Sequence, residues 1–150
     1  MKTIRLLLSV LLLTITGKFL PAALAADRAS IQGILISASN DKGETDRRLT
    51  PYEPTLRRIL RFESYRFLGD DQASIGTGEK GHLSLGEGHE VEIETESAEG
   101  KSVRLRVRWT KGGRVLMNTG LALRAGVPAV LGGPSTGTKG DVYAIILIGR

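Results

Sequence analysis

The sequence predicts an α+β domain made mostly of antiparallel β-sheet, either open or as a small sandwich, with one helix near its N-terminal end. Three observations predict this class: short segments that alternate apolar and polar residues, a single helix-initiation signal, and 19 glycines among 150 residues. Period-two alternation is typical of half-buried strands, and glycine provides the backbone conformations that tight turns need. We therefore expect a βαβ start followed by a β-meander.

The first 25 residues predict a secretory signal peptide. Lys2 and Arg5 precede the apolar stretch 6–15, and the segment ending at Ala25 has the small residues of a cleavage site. The stretch is shorter than the roughly 20 apolar residues that cross a bilayer. We therefore expect cleavage and not a retained anchor. The protein would be exported, periplasmic or extracellular, with one domain at residues 26–150.

Composition narrows the function classes further. The chain has no cysteine, which excludes disulfides, thiol catalysis and thiolate metal sites. Three of its 21 Lys and Arg residues leave with the signal peptide while all 16 Asp and Glu residues stay, which brings the formal net charge from +5 to +2. Nucleic-acid binding favours a basic face with interleaved aromatic residues. We therefore expect no nucleic-acid partner.

The first part of the domain predicts a strand, a helix and a second strand. Residues 31–39 are apolar on both faces, as in the middle of a sheet. Thr50, Pro51 and Glu53 combine an N-cap, a proline at the first helical position and a capping-box glutamate. They predict a helix of about ten to thirteen residues. Residues 62–68 alternate again, which completes a βαβ unit if the two strands are parallel.

The predicted helix has one apolar stripe and one basic face. Leu56, Ile59 and Leu60 form the stripe that would pack on the sheet. Three arginines of the same segment point to the other face or lie near the helix end, where positive charge suits the helix dipole. They are Arg57, Arg58 and Arg61.

Residues 89–109 predict a β-hairpin with a three-residue loop at 98–100 and Gly100 in the left-handed conformation. The predicted register pairs oppositely charged residues on one face: Glu94 with Arg104, Glu92 with Arg106, and Glu90 with Arg108. The other face is apolar and would point to the core. We interpret the charged face as solvated, with each pair contributing a few tenths of a kcal/mol to about 1.

All later elements are predicted to be strands, at 73–77, 82–85, 115–124, 129–131 and 141–148. The last strand is apolar throughout its central part, which favours a central position covered on both faces. The alternative is a strand donated to the sheet of a partner.

Short motifs in the chain resemble catalytic sequences without their structural context. Residues 76–81 fit G-x-G-x-x-G, but they lie between predicted strands, whereas phosphate binding uses the amides of a helix N-terminus. Residues 132–139 approach a P-loop but have the wrong residue order. Ser39 and Lys42 fit S-x-x-K in a predicted loop, where the two side chains do not share a helix face. None of these motifs predicts nucleotide binding or serine–lysine catalysis.

The chain has only two histidines, His82 and His89. Together with nearby carboxylates they could form a metal site. Side chains alternate between the two faces of the predicted hairpin, however, so His89 lies on the apolar face and Glu90 on the charged face. We interpret His89 as structural and predict no metal ion or other cofactor.

Two function classes remain. We favour an exported, non-enzymatic binding or assembly module of the cell envelope, with a protein partner and with membrane contact only through the partner complex. The alternative is a small secreted hydrolase or metal-dependent enzyme that uses histidine and carboxylates. The candidate contact surface is the largest group of like charges without visible partners, for which the alternative is a solvated helix face. Its residues are Arg47, Arg48, Arg57, Arg58 and Arg61.

Overall fold

The structure is a computed structural model that describes residues 28–138 and 140–150. The predicted signal peptide lies outside these residues, so its cleavage stays a prediction. None of the described helices has the length and apolar character needed to span a bilayer.

Two four-stranded antiparallel sheets make up most of the described chain. Their strands are β1 (Arg28–Ser39), β2 (Ser64–Gly76), β3 (Lys80–Gly86), β4 (His89–Glu99), β5 (Ser102–Lys111), β6 (Arg114–Arg124), β7 (Ala129–Ser135) and β8 (Val142–Gly149). The first sheet has the order β2-β1-β8-β7 and the second has the order β3-β4-β5-β6. Between β1 and β2, a 3-10 helix at Arg47–Tyr52 leads into helix α1 at Glu53–Ile59. The predicted class, mostly antiparallel sheet with one short helix, is confirmed.

The main core lies between the two sheets. Alternate residues of β4 and β5, among them Val91 and Trp109, pack with Leu35 and Leu147 of the first sheet and are fully buried. The intervening charged residues of β4 and β5 therefore point away from the core, as the alternation predicted. Burial of each large apolar side chain contributes about 1.5–3 kcal/mol.

A second core lies on the outer face of the first sheet. Leu49 and Leu56 of the helical segment pack there against Ile36, Ile146 and their neighbours. Because β1 and β8 thus face apolar residues on both sides, their continuous apolar sequences are explained. The prediction that β8 is a central strand is confirmed, since it lies between β1 and β7.

The predicted βαβ start is wrong, because β1 and β2 are antiparallel neighbours. Ser39 pairs with Ser64 and Ile36 with Phe67. The chain leaves β1, crosses the outer face of the sheet as the helical segment, and returns beside β1 in the opposite direction. The order strand, helix, strand was read correctly, but it does not determine strand direction.

The helical segment begins earlier than predicted, and its α-helical part is shorter. Asp46, not Thr50, caps the start: its carboxylate accepts a hydrogen bond from the backbone N–H of Arg48 (3.0 Å). The rings of Pro51 and Pro54 would clash with the carbonyl four residues earlier in an α-helix, which disfavours the α-helical form before α1. The helix ends where Arg61 takes a left-handed conformation, with φ of 57°.

The β4–β5 hairpin is confirmed, but its register differs from the prediction by two residues. Glu99 pairs with Ser102 across a two-residue turn, and Glu94 faces Arg106 instead of Arg104. A bulge at Glu96 inserts one extra residue into β4, between the pairs Thr95–Leu105 and Ser97–Arg104. On the side of the bulge away from the turn, charged residues of β4 face charged residues of β5. The faces of both strands are therefore as predicted.

Candidate functional site

All five candidate arginines lie on the helical segment or directly after it, and all are exposed. Two belong to the 3-10 helix, two to α1, and Arg61 follows two residues after α1. The structure thus places them on one short segment that covers the outer face of the first sheet. The five arginines differ, however, in whether their side chains form ion pairs with other residues of the chain.

Arg48 is held by its own neighbours. Its guanidinium makes two hydrogen bonds to the carboxylate of Asp46, from Nε to Oδ1 (3.1 Å) and from Nη2 to Oδ2 (2.8 Å). It also lies over the ring of Phe67, with Cζ 4.0 Å from the ring centre. Mainly because of the hydrogen bonds from Arg48, the pKa of Asp46 falls from 3.8 to about 2. Arg48 is therefore a structural residue, and counting it as unpaired was wrong.

Arg57 also has internal partners. Its Nε donates to Oε1 of Glu53, one helical turn earlier, at 3.0 Å. Its Nη2 donates to the backbone carbonyl of Glu63 at 3.0 Å, just before β2 begins. Arg57 therefore joins the helix to the following strand, and it too was wrongly counted as unpaired.

The other candidates, Arg47, Arg58 and Arg61, have no ion pair among the described residues. Between the last two lies Ile59, whose side chain is 48% exposed although the apolar stripe predicted it to be buried. We call Arg58, Ile59 and Arg61 the helix patch. Sequence reasoning missed the exposure of Ile59, because the stripe predicted burial for all three of its residues, whereas within α1 only Leu56 is buried.

The two histidines lie on opposite faces of the second sheet. His82 is exposed on the charged face, where its Nε2 is 3.6 Å from Oε1 of Glu90. His89 is fully buried between the sheets. They therefore do not form a shared ligand set, and no group of three or more metal-ligating side chains occurs in the described part of the chain.

His89 is part of a buried aromatic cluster, as its interpretation as a structural residue predicted. Its Nδ1 accepts a hydrogen bond from the indole Nε1 of Trp109 (3.0 Å), and its ring meets that of Tyr143 edge-on, with centroids 4.5 Å apart. Burial, followed by the charge of Lys111, lowers the pKa of His89. In the neutral imidazole, the hydrogen bond that Nδ1 accepts places the proton on Nε2.

A cavity of about 410 Å³ opens between the sheets at the opposite end of the sandwich from His89. Its apolar side is formed by Ile31, Ile75, Val103 and Leu123, and its basic residues are Arg28, Lys101 and Arg150. Among the described residues, no Asp or Glu side chain lines it. The lining comes from six different strands and the β4–β5 turn, so local sequence patterns could not identify it.

The basic residues of this cavity differ in their partners. Arg28 donates from Nε to the hydroxyl of Ser74 (3.2 Å) and lies 3.5 Å from the carboxylate of Glu79. Lys101 and Arg150 have no ion pair within the described ranges. Thr95 also lines the cavity, is 1% exposed, and has a hydroxyl without a hydrogen-bond partner in the described structure.

Comparison with known proteins found no matching family model, no matching curated protein and no matching solved structure. Inference about function therefore starts from the residues and their geometry.

Proposed function

We propose that this protein is an exported, non-enzymatic binding or assembly module of the cell envelope that acts through contacts with a protein partner. The observation that carries the proposal is the helix patch, where an exposed isoleucine lies between two arginines without ion pairs. Arginine and large apolar residues are enriched where proteins bind one another. The partner would offer an apolar contact for Ile59 and carboxylates for Arg58 and Arg61.

The internal pairs of the other arginines support this assignment. Arg48 fixes the start of the helical segment through Asp46, and Arg57 ties α1 to the segment before β2. A surface held in this way loses little conformational entropy on binding. Planar guanidinium groups can also form two parallel hydrogen bonds with a carboxylate. We therefore expect the helix patch to bind an acidic surface with little rearrangement of its backbone.

Export is the second part of the proposal and rests on residues 1–25 alone. The absence of cysteine suits an exported domain that needs no disulfide formation to fold. Membrane association would then arise through the partner. Fractionation of the source cell, together with the N-terminal sequence of the recovered protein, tests this part independently of binding.

The alternative, a secreted hydrolase or metal-dependent enzyme, would depend on His82 and Glu90. These residues line a smaller cavity of about 250 Å³ on the charged face together with Arg108. His89 cannot join them, because it lies on the other face and its Nδ1 is occupied by Trp109. An enzyme of this kind would lose its activity in His82→Ala and would retain it in a variant of the helix patch.

The proposal is tested by crosslinking in the intact source cell followed by mass spectrometry. The test variant is Arg58→Glu/Ile59→Asp. The matched control is Arg114→Glu/Val115→Asp, which makes the same chemical change at another exposed pair, since Val115 is 45% exposed at the start of β6. We expect the wild type and the control to recover one envelope protein and the test variant to lose it.

Thermal melting of both variants shows whether each is folded. Equal recovery of the same partner by the test variant and the wild type would overturn the assignment to the helix patch. Recovery of the wild type only as a free monomer would overturn the binding-module proposal itself.

A further inference from the structure

The cavity between the sheets has the dimensions of a small-molecule site. Its volume of about 410 Å³ lies within the range of about 300–1,000 Å³ typical of ligand pockets. It has room for roughly 14 water molecules at about 30 Å³ each. An alkyl chain or aromatic ring system therefore fits, whereas a protein domain does not.

The walls of the cavity are apolar. Ile31, Ile75 and Leu123 form a buried floor, and the half-buried Val103 and Ala29 stand beside it. Water in such a site has few hydrogen-bonding partners, so its displacement by an apolar group is favourable. The body of the ligand would accordingly be hydrocarbon.

The charge of the lining specifies the other end of the ligand. In residues 28–138 and 140–150, three cationic side chains and no carboxylate side chain line this cavity. Two other cavities of the described chain have carboxylates in their lining, such as Asp41 in one and Glu90 in the other. Of the three cations, Arg28 is already engaged by Glu79, which leaves Lys101 and Arg150 for an external anion.

Thr95 provides a second, independent observation. Its backbone is satisfied, because its N–H donates to the carbonyl of Glu79 (3.2 Å) and its carbonyl accepts from Gly78 (2.9 Å). Its side-chain hydroxyl, however, is buried and has no partner among the described residues. A buried hydroxyl without a hydrogen bond costs free energy, which a ligand oxygen within reach would recover.

From these observations we propose that the cavity binds a small anionic amphiphile, with an apolar body between the sheets and a carboxylate near Lys101 and Arg150. This site is separate from the helix patch, which lies on the outer side of the first sheet. Ligand binding and partner binding therefore rest on different residues and can fail independently.

The first test uses the protein purified from its source cell and 11-(dansylamino)undecanoate as the probe, at monomeric concentrations and about 150 mM salt. We expect saturable one-to-one binding with a fluorescence increase. Decanoate should displace the probe, and decanol should do so roughly tenfold to 100-fold less well, because it lacks the charged hydrogen-bond acceptor. Equal competition by decanoate and decanol would overturn the carboxylate assignment.

Variants locate the site. Ala125→Trp places a large side chain at the cavity, one residue after the end of β6, and Ala122→Trp makes the same change at an exposed position of β6. Lys101→Glu reverses a charge in the lining, and Arg104→Glu reverses one on the charged face. We expect at least a tenfold loss of probe affinity in Ala125→Trp and Lys101→Glu and none in their controls.

Lys101→Glu keeps the proposal falsifiable if Ala125→Trp does not fold, because Lys101 is an exposed turn residue. Unchanged affinity in Lys101→Glu, or an equal loss in Arg104→Glu, would overturn the site. A last experiment measures binding of the protein to vesicles of phosphatidylglycerol and phosphatidylcholine. Binding to these vesicles without binding of monomeric decanoate would assign the basic residues to a lipid surface and would also overturn the proposal.

Discussion

Substitution of Gly133 by alanine tests the packing between the end of β7 and the buried indole of Trp109. A Cβ atom at Gly133 would overlap the six-membered ring of the indole and would lie 3.0 Å from the carbonyl oxygen of Tyr143. Trp109 cannot move easily, because it is fully buried and donates its N–H to His89. Gly133→Ala should therefore displace a packed aromatic side chain.

The expected cost follows from the chemistry of overpacking. Inserting a methyl group into a close-packed region costs about 1–3 kcal/mol. Displacement of Trp109 would also weaken its hydrogen bond, whose loss leaves buried polar groups without partners at about 1–3 kcal/mol. We expect the free energy of unfolding to fall by about 2–4 kcal/mol, in the absence of a large change in the denaturant m-value.

The measurement is urea unfolding followed by Trp109 fluorescence, since this is the only tryptophan of the chain. Gly120→Ala is the matched control, because a Cβ there lies 3.7 Å from the nearest atom, the carbonyl oxygen of Leu105, at ordinary contact distance. The fluorescence of the folded Gly133→Ala protein should also change, whereas that of Gly120→Ala should not.

A double-mutant cycle with Trp109→Phe isolates the contact. Phenylalanine lacks the outer part of the indole, so the added methyl group should find room. The cost of Gly133→Ala should therefore shrink by at least about 1 kcal/mol in the Trp109→Phe background. Unfolding of all four proteins of the cycle is followed by far-UV circular dichroism, because the Trp109→Phe proteins contain no tryptophan. An equal cost in both backgrounds, or a Gly133→Ala protein as stable as the wild type, would refute the reasoning.

Three further predictions concern buried or paired polar groups. Thr95→Val should be neutral or stabilising by up to about 1 kcal/mol in urea unfolding, because it removes a buried hydroxyl without a described partner; a loss above about 1 kcal/mol would show that the hydroxyl is bonded. Burial lowers the pKa of His89, so the unfolded state takes up the extra proton, and stability should fall as the pH drops below about 6.5, by at most about 1.4 kcal/mol per pH unit. Thermal melting between pH 8 and 5 checks this, and a stability that does not fall over this range would contradict it. Because the pKa of Asp46 is lowered from 3.8 to about 2, mainly by the hydrogen bonds from Arg48, its contribution is present above pH 4 and lost as the pH falls toward 2. Asp46→Asn should therefore have a flatter acid-unfolding profile than the wild type, and identical profiles would contradict this.

The faces of the strands were predictable because the polarity of each residue indicates whether its side chain faces the core or the solvent. In β4, the alternation from His89 to Thr95 places every second side chain in the core, and the structure agrees. The exact register was not predictable in the same way. The bulge at Glu96 and the two-residue turn shift the pairing by two residues and leave both faces unchanged. Charge and hydrophobicity patterns therefore fit either register.

Strand direction and helix form depend on interactions that are distant in sequence. The apolar runs of β1 and β8 predicted central strands, because they must be covered on both faces. Whether β2 returns parallel or antiparallel to β1 depends on how residues 40–63 cross the sheet, which periodicity does not encode. The capping signal at Thr50 was outweighed by Asp46 and by two prolines that favour a 3-10 turn.

The candidate arginines also separate what the sequence predicts from what only the folded structure shows. The sequence identified a cationic segment correctly, but pairing separated its members: Arg48 and Arg57 bind nearby acidic or carbonyl groups, while Arg58 and Arg61 do not among the described residues. The exposure of Ile59, which completes the helix patch, runs against the apolar stripe that predicted its burial. The sequence indicated the cationic segment. Only the contacts in the structure show which of its arginines are paired within the chain and which could bind a partner.

The two ends of the sandwich differ because the sizes of their side chains differ. At one end, Trp109 and Tyr143 pack around His89 and approach Gly133 so closely that no space remains. At the other end, the lining contains Ala29, Ala98, Ala125, Gly100 and Gly149. Small side chains at the mouth of an apolar interior leave volume that larger ones could have filled, and filling such volume commonly stabilises a protein. A cavity lined in addition by three cations is therefore better explained as a site for an anion than as a packing defect.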